Sequence, residues 1–222
     1  MQDLVKQEQF ELEVLEKLNS AKLLSNLVFC GGTMLRLCFG LNRYSVDLDF
    51  WVVKDLKFDE LFNKLNTLLS KDYQILDSAN KFYTILFEIK SANYPRNLKI
   101  EIRKEKKSIK IESVIAYGKN SNAQVFLNAV SLSDMMQAKV RAFLDRKEIR
   151  DCFDLEFLIK KGIFLDVSAD TLKKLLKGID ALSKNDYVVK LGSLLEANER
   201  QYYTKENFKI LKSTINEQLS KL

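Results

Sequence analysis

No histidine occurs anywhere in the 222 residues. That excludes Ser-His-Asp and Cys-His nucleophilic catalysis, His-ligated zinc and a histidine general base. Any chemistry must rest on carboxylates, Lys, Arg, Tyr, Ser or Cys. The three cysteines, Cys30, Cys38 and Cys152, lack metal-ligand spacing. Their odd number and apolar neighbours predict reduced, buried thiols and a cytoplasmic chain. A single proline and 46% hydrophobic residues argue against disorder. Apolar runs are too short for a membrane span. The start, Met1-Gln2-Asp3-Leu4, lacks the basic and apolar regions of a secretory signal. The formal charge of +6 permits a polyanionic partner without demanding one.

What the chain does have is centred on Arg43–Phe50, Arg-Tyr-Ser-Val-Asp-Leu-Asp-Phe. Polar residues at 43, 45, 47 and 49 alternate with Val46, Leu48, Phe50 and Val52. Period two predicts a strand over 46–53 with one buried face. It sets Asp47 and Asp49 on the other face, roughly 7 Å apart. Upstream, Leu27–Cys30 predicts a short buried strand running into Gly31-Gly32-Thr33. Such a turn lets backbone approach a phosphate, and Thr33 is placed to cap the following helix, which Gly40 ends. Carboxylates beside a phosphate-accepting turn suggest a metal–nucleotide site.

Helices are also predicted over 3–25 and 58–69, and strands over 81–89, 98–103 and 109–117. Residues 123–130 read as an extended connection. The order predicts a mixed α/β sheet over 1–130. From Ser131 strand signals stop, and 131–222 reads as four or five helices, among them 168–179, 187–195 and 205–219. On the 98–103 strand, Glu101 falls on the polar face. If that strand neighbours 46–53, three carboxylates converge, and two Mg²⁺ ions would offset their repulsion. On a continuous helix Lys139, Arg146, Arg150 and Asp154 lie within about 80° of one another, a cationic stripe suited to a triphosphate. Within it, Arg150 and Asp154 read as a candidate ion pair. Residues 96–110 form a basic patch (Arg96, Lys99, Arg103, Lys104, Lys106, Lys107 and Lys110) that suits an RNA backbone. The aromatics near it, Phe82, Tyr83 and Tyr94, read as core.

Three blocks taken in order carry a resemblance. They are Gly31-Gly32-Thr33-x-Leu35-Arg36, Arg43-x-Ser45-x-Asp47-Leu48-Asp49-Phe50, and Lys139-x6-Arg146-x3-Arg150-Asp151-x2-Asp154-Leu155. Together they resemble the AbiEii/AbiGii nucleotidyltransferase toxins of the DNA polymerase β-like superfamily. The resemblance runs from about residue 28 to 160. It implies an α+β fold: a polymerase β-like nucleotidyltransferase mixed sheet with flanking helices, then a C-terminal helical bundle. It implies a nucleoside triphosphate as substrate and Mg²⁺, or alternatively Mn²⁺, as cofactor. Asp47, Asp49 and Glu101 would hold metal, and Lys139 would contact the triphosphate. Gly31, Gly32, Thr33, Arg43, Ser45 and Arg146 complete the expected nucleotide site. The superfamily commonly has aspartate where this chain has Glu101, and Gly-Ser where it has Gly32-Thr33.

The implied function is transfer of an NMP to an acceptor hydroxyl, a tRNA 3′ end. The role would be that of a toxin in a type IV-like toxin–antitoxin or abortive-infection (phage defence) system, with a cognate antitoxin. Two other readings compete: a nucleotidyltransferase that modifies protein, and a non-catalytic nucleotide-binding or antitoxin-like interaction module.

Overall fold

The computed structural model describes residues 2–221. Its contacts divide the chain into two compact units, one running through Ser131 and one from Leu132.

The first unit opens with α1 (Gln2–Ser20), whose face of Leu4, Phe10, Leu12, Leu15 and Leu18 is buried. The helix is shorter than the 3–25 expected. Lys22 turns to positive φ, and Leu24–Asn26 forms a 3-10 turn. Then come β1 (Val28–Cys30), α2 (Gly31–Phe39), β2 (Asp47–Val52) and α3 (Phe58–Leu69). Gly40 ends α2 in the left-handed region at φ 79°, its N–H donating to the carbonyls of Arg36 and Leu35. The remaining strands are β3 (Gln74–Asn80), β4 (Thr84–Lys90), β5 (Leu98–Lys106), β6 (Ile111–Tyr117) and β7 (Gln124–Val130). With β1 and β2 they make a seven-stranded mixed sheet ordered β3-β4-β5-β2-β1-β7-β6.

Two strands differ from expectation. The segment expected as an extended connection is β7, paired parallel to β1 and antiparallel to β6. The other, β3, has no predicted counterpart, because an edge strand exposed for most of its length carries no apolar alternation.

Alternation decides which face of the sheet is core. In β2 and β5, Leu48, Phe50, Val52, Ile100 and Ile102 are buried. Phe50 packs on Phe29 with ring centroids 5.3 Å apart. Helix α3 buries Leu61, Leu65 and Leu69, and Phe62 stacks on Phe87 at 5.1 Å. Of the aromatics expected in the core, Tyr94 stacks on Phe10 at 4.6 Å. Phe82 and Tyr83 do not join it, being 84% and 74% exposed.

The second unit contains α4 (Leu132–Arg146), α5 (Ile149–Lys160), α6 (Ala169–Asp180), α7 (Ala197–Glu206) and α8 (Lys209–Ser220). The continuous helix expected to carry Lys139 through Asp154 is not there. Lys147 adopts φ 54° and Glu148 is extended, so α4 and α5 form a hairpin of packed helices. The 205–219 helix is likewise interrupted, at Asn207 and Phe208, both at positive φ. Instead of an ordinary helix, 187–195 holds a π-helical turn (Asp186–Leu191) followed by a 3-10 turn (Gly192–Leu194).

The three cysteines form no disulfide among the described residues; Cys30 and Cys152 are buried as expected, and Cys38 only half-buried. Burial pushes the Cys38 thiol up to about 12 and raises Cys152 as well, so neither is a ready nucleophile. No helix among the described residues is long and apolar enough to cross a membrane.

Candidate active site

Strand β2 lies between β1 and β5. Its parallel pairing with β5 sets Asp49 opposite Glu101 and Asp47 opposite Lys99. Residues opposed across neighbouring strands share a face and stand about 4.8 Å apart. Asp47, Asp49 and Glu101 therefore project from the face opposite the buried Leu48–Phe50–Val52 row, and all three are half-buried. On the other flank Cys30 pairs with Asp49, and the chain turns immediately into Gly31.

The turn needs both of its glycines. Gly31 has φ +82°, and a Cβ there would fall 2.6 Å from Asp49 Oδ2. A Cβ on Gly32 would fall 2.5 Å from Arg43 Nη2 and 2.8 Å from Ser45 Oγ. The start of α2 is thus pressed against the Asp49 carboxylate on one side and the Arg43–Ser45 pair on the other. Thr33 does not cap α2. Cys30 occupies the N-cap position, and Thr33 is fully buried, its hydroxyl donating to the Asp47 carbonyl at 2.6 Å. That bond fastens α2 to the head of β2, so what the turn offers an anion is backbone N–H and the helix dipole. Arg43 is also buried, at 2% exposure, and donates to the Tyr44 carbonyl at 3.0 Å. Gly31→Ala is expected to lower kcat/KM about 100-fold by displacing Asp49, while costing only about 1–2 kcal/mol in backbone strain. Steady-state kinetics beside a thermal melt will separate the two effects.

The donors here are all carboxylate oxygens, the set a hard divalent cation takes. The Asp49–Glu101 register fits such an ion. The side chains as placed are not closed around one point, since no three His, Cys, Asp or Glu groups among the described residues form a metal-holding cluster. Glu101 instead pairs with Arg103, Nε to Oε1 at 3.4 Å.

Beneath the site, α1 supplies polar groups that no motif predicted. Gln7 donates from Nε2 to the Val46 and Asn97 carbonyls, both at 3.3 Å, clasping the entries of β2 and β5. Glu8 pairs with Arg36 at 2.5 Å, and Arg36 lies 3.8 Å over the Tyr44 ring. Glu11 is fully buried, and neither of its carboxylate oxygens has a hydrogen-bond partner among the described residues. Burial raises its pKa well above the ordinary value; Glu8 and then Asp47 raise it further, while Arg36 opposes them. The only hint in the sequence is Gln7, Glu8 and Glu11 interrupting an otherwise apolar helix face.

A carboxyl raised in the folded state stabilises fully below its unfolded pKa. That contribution is lost as pH rises through the folded value. Glu11→Gln is therefore expected to gain melting temperature over wild type progressively from about pH 5 upward, in thermal melts across pH. Equal pH profiles for the two would contradict a raised Glu11 pKa.

The remaining expected residues belong to the second unit. Lys139 is 5% exposed and bound by two fully buried carboxylates, Asp151 Oδ1 at 3.3 Å and Asp154 Oδ2 at 2.5 Å. Arg146 grips Asp151 through two hydrogen bonds of 2.7 Å, which raises the arginine's pKa. Asp154 thus takes Lys139, not the expected Arg150, which is exposed.

The model of the family described as nucleotidyl transferase AbiEii toxin, type IV TA system, matches residues 13–218. No curated protein sequence matches the chain. Among solved structures, a candidate nucleotidyltransferase of H. pylori superposes with a TM-score of 0.60 at 21% identity, over 96% of both chains. JHP933 from Helicobacter pylori gives 0.58 at 22% identity, over 96% of this chain and 95% of that one. MenT4, the nucleotidyltransferase toxin Rv2826c of Mycobacterium tuberculosis H37Rv, gives 0.50 at 16% identity, over 92% and 85%. At these identities the structures speak for the fold.

Proposed function

Since the chain belongs to the AbiEii family of nucleotidyltransferase toxins of type IV toxin–antitoxin systems, we propose that it moves a nucleoside monophosphate from an NTP to the 3′ hydroxyl of an RNA, with tRNA as the acceptor. The observation that carries the reading is the Asp49–Glu101 register, with Asp47 on the same face and the Gly31 turn closed against Asp49. The α2 N-terminus and the amides of Gly31 and Gly32 hold the triphosphate. Asp47, Asp49 and Glu101 would hold a divalent cation, Mg²⁺ or Mn²⁺, which when bound supplies Lewis-acid polarisation of the phosphate. Glu101 receives the acceptor hydroxyl's proton as the new O–P bond forms and pyrophosphate leaves. Arg103 stands beside Glu101, its Nε 3.4 Å from Oε1. Arg43 and Ser45 brace the turn, and Thr33 ties it to β2.

Lys139 and Arg146 are assigned to the triphosphate on resemblance, with Asp151 and Asp154 orienting them. Arg146, whose side chain is 46% exposed, can be truncated with less structural consequence than Lys139. Arg146→Ala is expected to raise the KM for NTP about tenfold. An unchanged KM would leave Arg146 a purely structural partner of Asp151.

As a toxin the chain would arrest growth when produced alone, and a cognate antitoxin would relieve the arrest. With labelled nucleotide and equal masses of total RNA and total protein, label is expected in RNA. Label confined to protein would move the acceptor to a side-chain hydroxyl.

A further inference from the structure

The largest exposed aromatic surfaces in the chain are two neighbouring rings at the β3–β4 tip. Phe82 is 84% exposed and Tyr83 74% exposed. Their rings stand edge to face, centroids 4.6 Å apart. Isolated exposed apolar side chains are ordinary, but adjacent large rings at a hairpin tip carry a cost unless something covers them. The tip is held firmly. Lys81 N–H donates to the Thr84 carbonyl and Lys104 N–H to the Tyr83 carbonyl, both at 2.9 Å. We propose that this tip and the adjoining end of β5 form the landing platform for the unpaired 3′-terminal nucleotides of an RNA acceptor.

Charge supports a polyanion. Lys81, Arg103 and Lys106 are exposed and Lys104 and Lys107 half-buried, against Asp55, Glu101 and Glu105, which pair with Lys106, Arg103 and Lys107. Rings supply what the cations lack. Each base has a π-face, so stacking on Phe or Tyr binds single strands with little regard to sequence. A paired helix hides its bases and cannot use such a tip.

The platform also lies where the acceptor must arrive. In-line displacement sets the attacking oxygen and the leaving pyrophosphate on opposite sides of the phosphorus. Across the sheet, the Gly31 turn flanks Asp49 through β1, and Glu101 flanks it through β5. With phosphates at the turn, the acceptor approaches over β5 and β4. Arg103, two residues beyond Glu101 on the same face, pairs with Thr84 of β4, and Tyr83 is the next residue toward the tip. Two strand spacings across and three residues along put the tip on the order of 15 Å from Asp49, within reach of a few extended nucleotides.

The platform rests on the nucleotidyl-transfer reading, and its test separates the two. A 5′-labelled single-stranded oligoribonucleotide of about eight nucleotides and a blunt RNA duplex are titrated with the full chain by fluorescence anisotropy. Phe82→Ala/Tyr83→Ala is expected to weaken single-strand binding roughly 10- to 100-fold, with melting temperature and nucleotide affinity measured as controls. Phe82→Trp is expected to retain binding and to show fluorescence quenching with the single strand but not with the duplex. Wild-type single-strand affinity in the double-alanine variant overturns the platform, whatever the outcome for transfer. So does a wild-type chain that binds no single-stranded RNA. In either case nucleotidyl transfer is judged separately, by pyrophosphate release from the wild type.

Discussion

Asp47→Asn is expected to abolish nucleotidyl transfer, by on the order of 10³-fold or more, while leaving the fold intact. Both halves of that expectation follow from the site. Asp47 contributes to the architecture through its backbone carbonyl, which accepts the Thr33 hydroxyl, and asparagine keeps that carbonyl. Its carboxylate is half-buried on the same face as Asp49 and Glu101, and asparagine keeps its size and its hydrogen-bonding side chain. The variant should therefore remain folded, with a cooperative melt close to that of the wild type. What it would lose, on the proposed reading, is a charged oxygen ligand for a divalent cation, and the amide oxygen of asparagine is a far poorer one. Circular dichroism melts paired with a labelled-nucleotide assay check both halves. A folded variant with full activity would sink the assignment of Asp47.

The second large effect concerns stability and lies in the second unit. Asp151→Ala is expected to destabilise that unit by about 3–5 kcal/mol, lowering its melting temperature by about 10 °C or more. Asp151 is wholly buried and serves two cations, Arg146 through two bonds and Lys139 through one. Removing it strips Arg146 of that fork and leaves the buried Lys139 ammonium only Asp154 among its carboxylate partners at these distances. Such pairs add little net stability over an apolar core, but losing one member is costly, because the other charge stays buried. Asp151→Asn should lose less, since it keeps an acceptor oxygen. Arg150→Ala, at an exposed position, should change stability by under about 0.5 kcal/mol. A chemical melt in which Asp151→Ala matches wild type would contradict this role of Asp151 as the shared partner of Lys139 and Arg146.

The difference between Asp151 and Arg150 shows where sequence reading reaches its limit. The spacing of Lys139, Arg146, Arg150 and Asp154 suggests one face of one helix. That inference fails at Lys147, which enters the left-handed region with no glycine or asparagine to announce it. Once the helix breaks, the partner of Asp154 is set by packing of α4 on α5 and not by periodicity. The break at Asn207 and Phe208 is only half hidden: asparagine is a common left-handed helix end, but a bulky phenylalanine at positive φ after it is rarely anticipated.

Legibility was greatest where one periodicity had one cause. Helix α3 runs from Phe58 to Leu69 as its apolar spacing predicts. Strand β2 alternates buried and half-buried residues throughout, because one face meets the core and the other does not. The shared face of Asp47, Asp49 and Glu101 needed more than alternation. Each strand's polar face can be read locally, but their adjacency depends on a parallel pairing between segments some fifty residues apart. Glu11, beneath the site, left even less trace. A carboxyl on a buried helix face looks like an interruption until the structure shows it without a hydrogen-bond partner among the described residues.

The most direct test of the central claim is pyrophosphate release with each of the four NTPs in turn, with a tRNA pool as acceptor and the RNA products mapped at their 3′ ends. The account predicts release matched one for one by nucleotides added to tRNA 3′ ends, lost in Asp47→Asn. Nucleotide binding with no pyrophosphate release from any NTP would contradict it, and would make the chain a binding module.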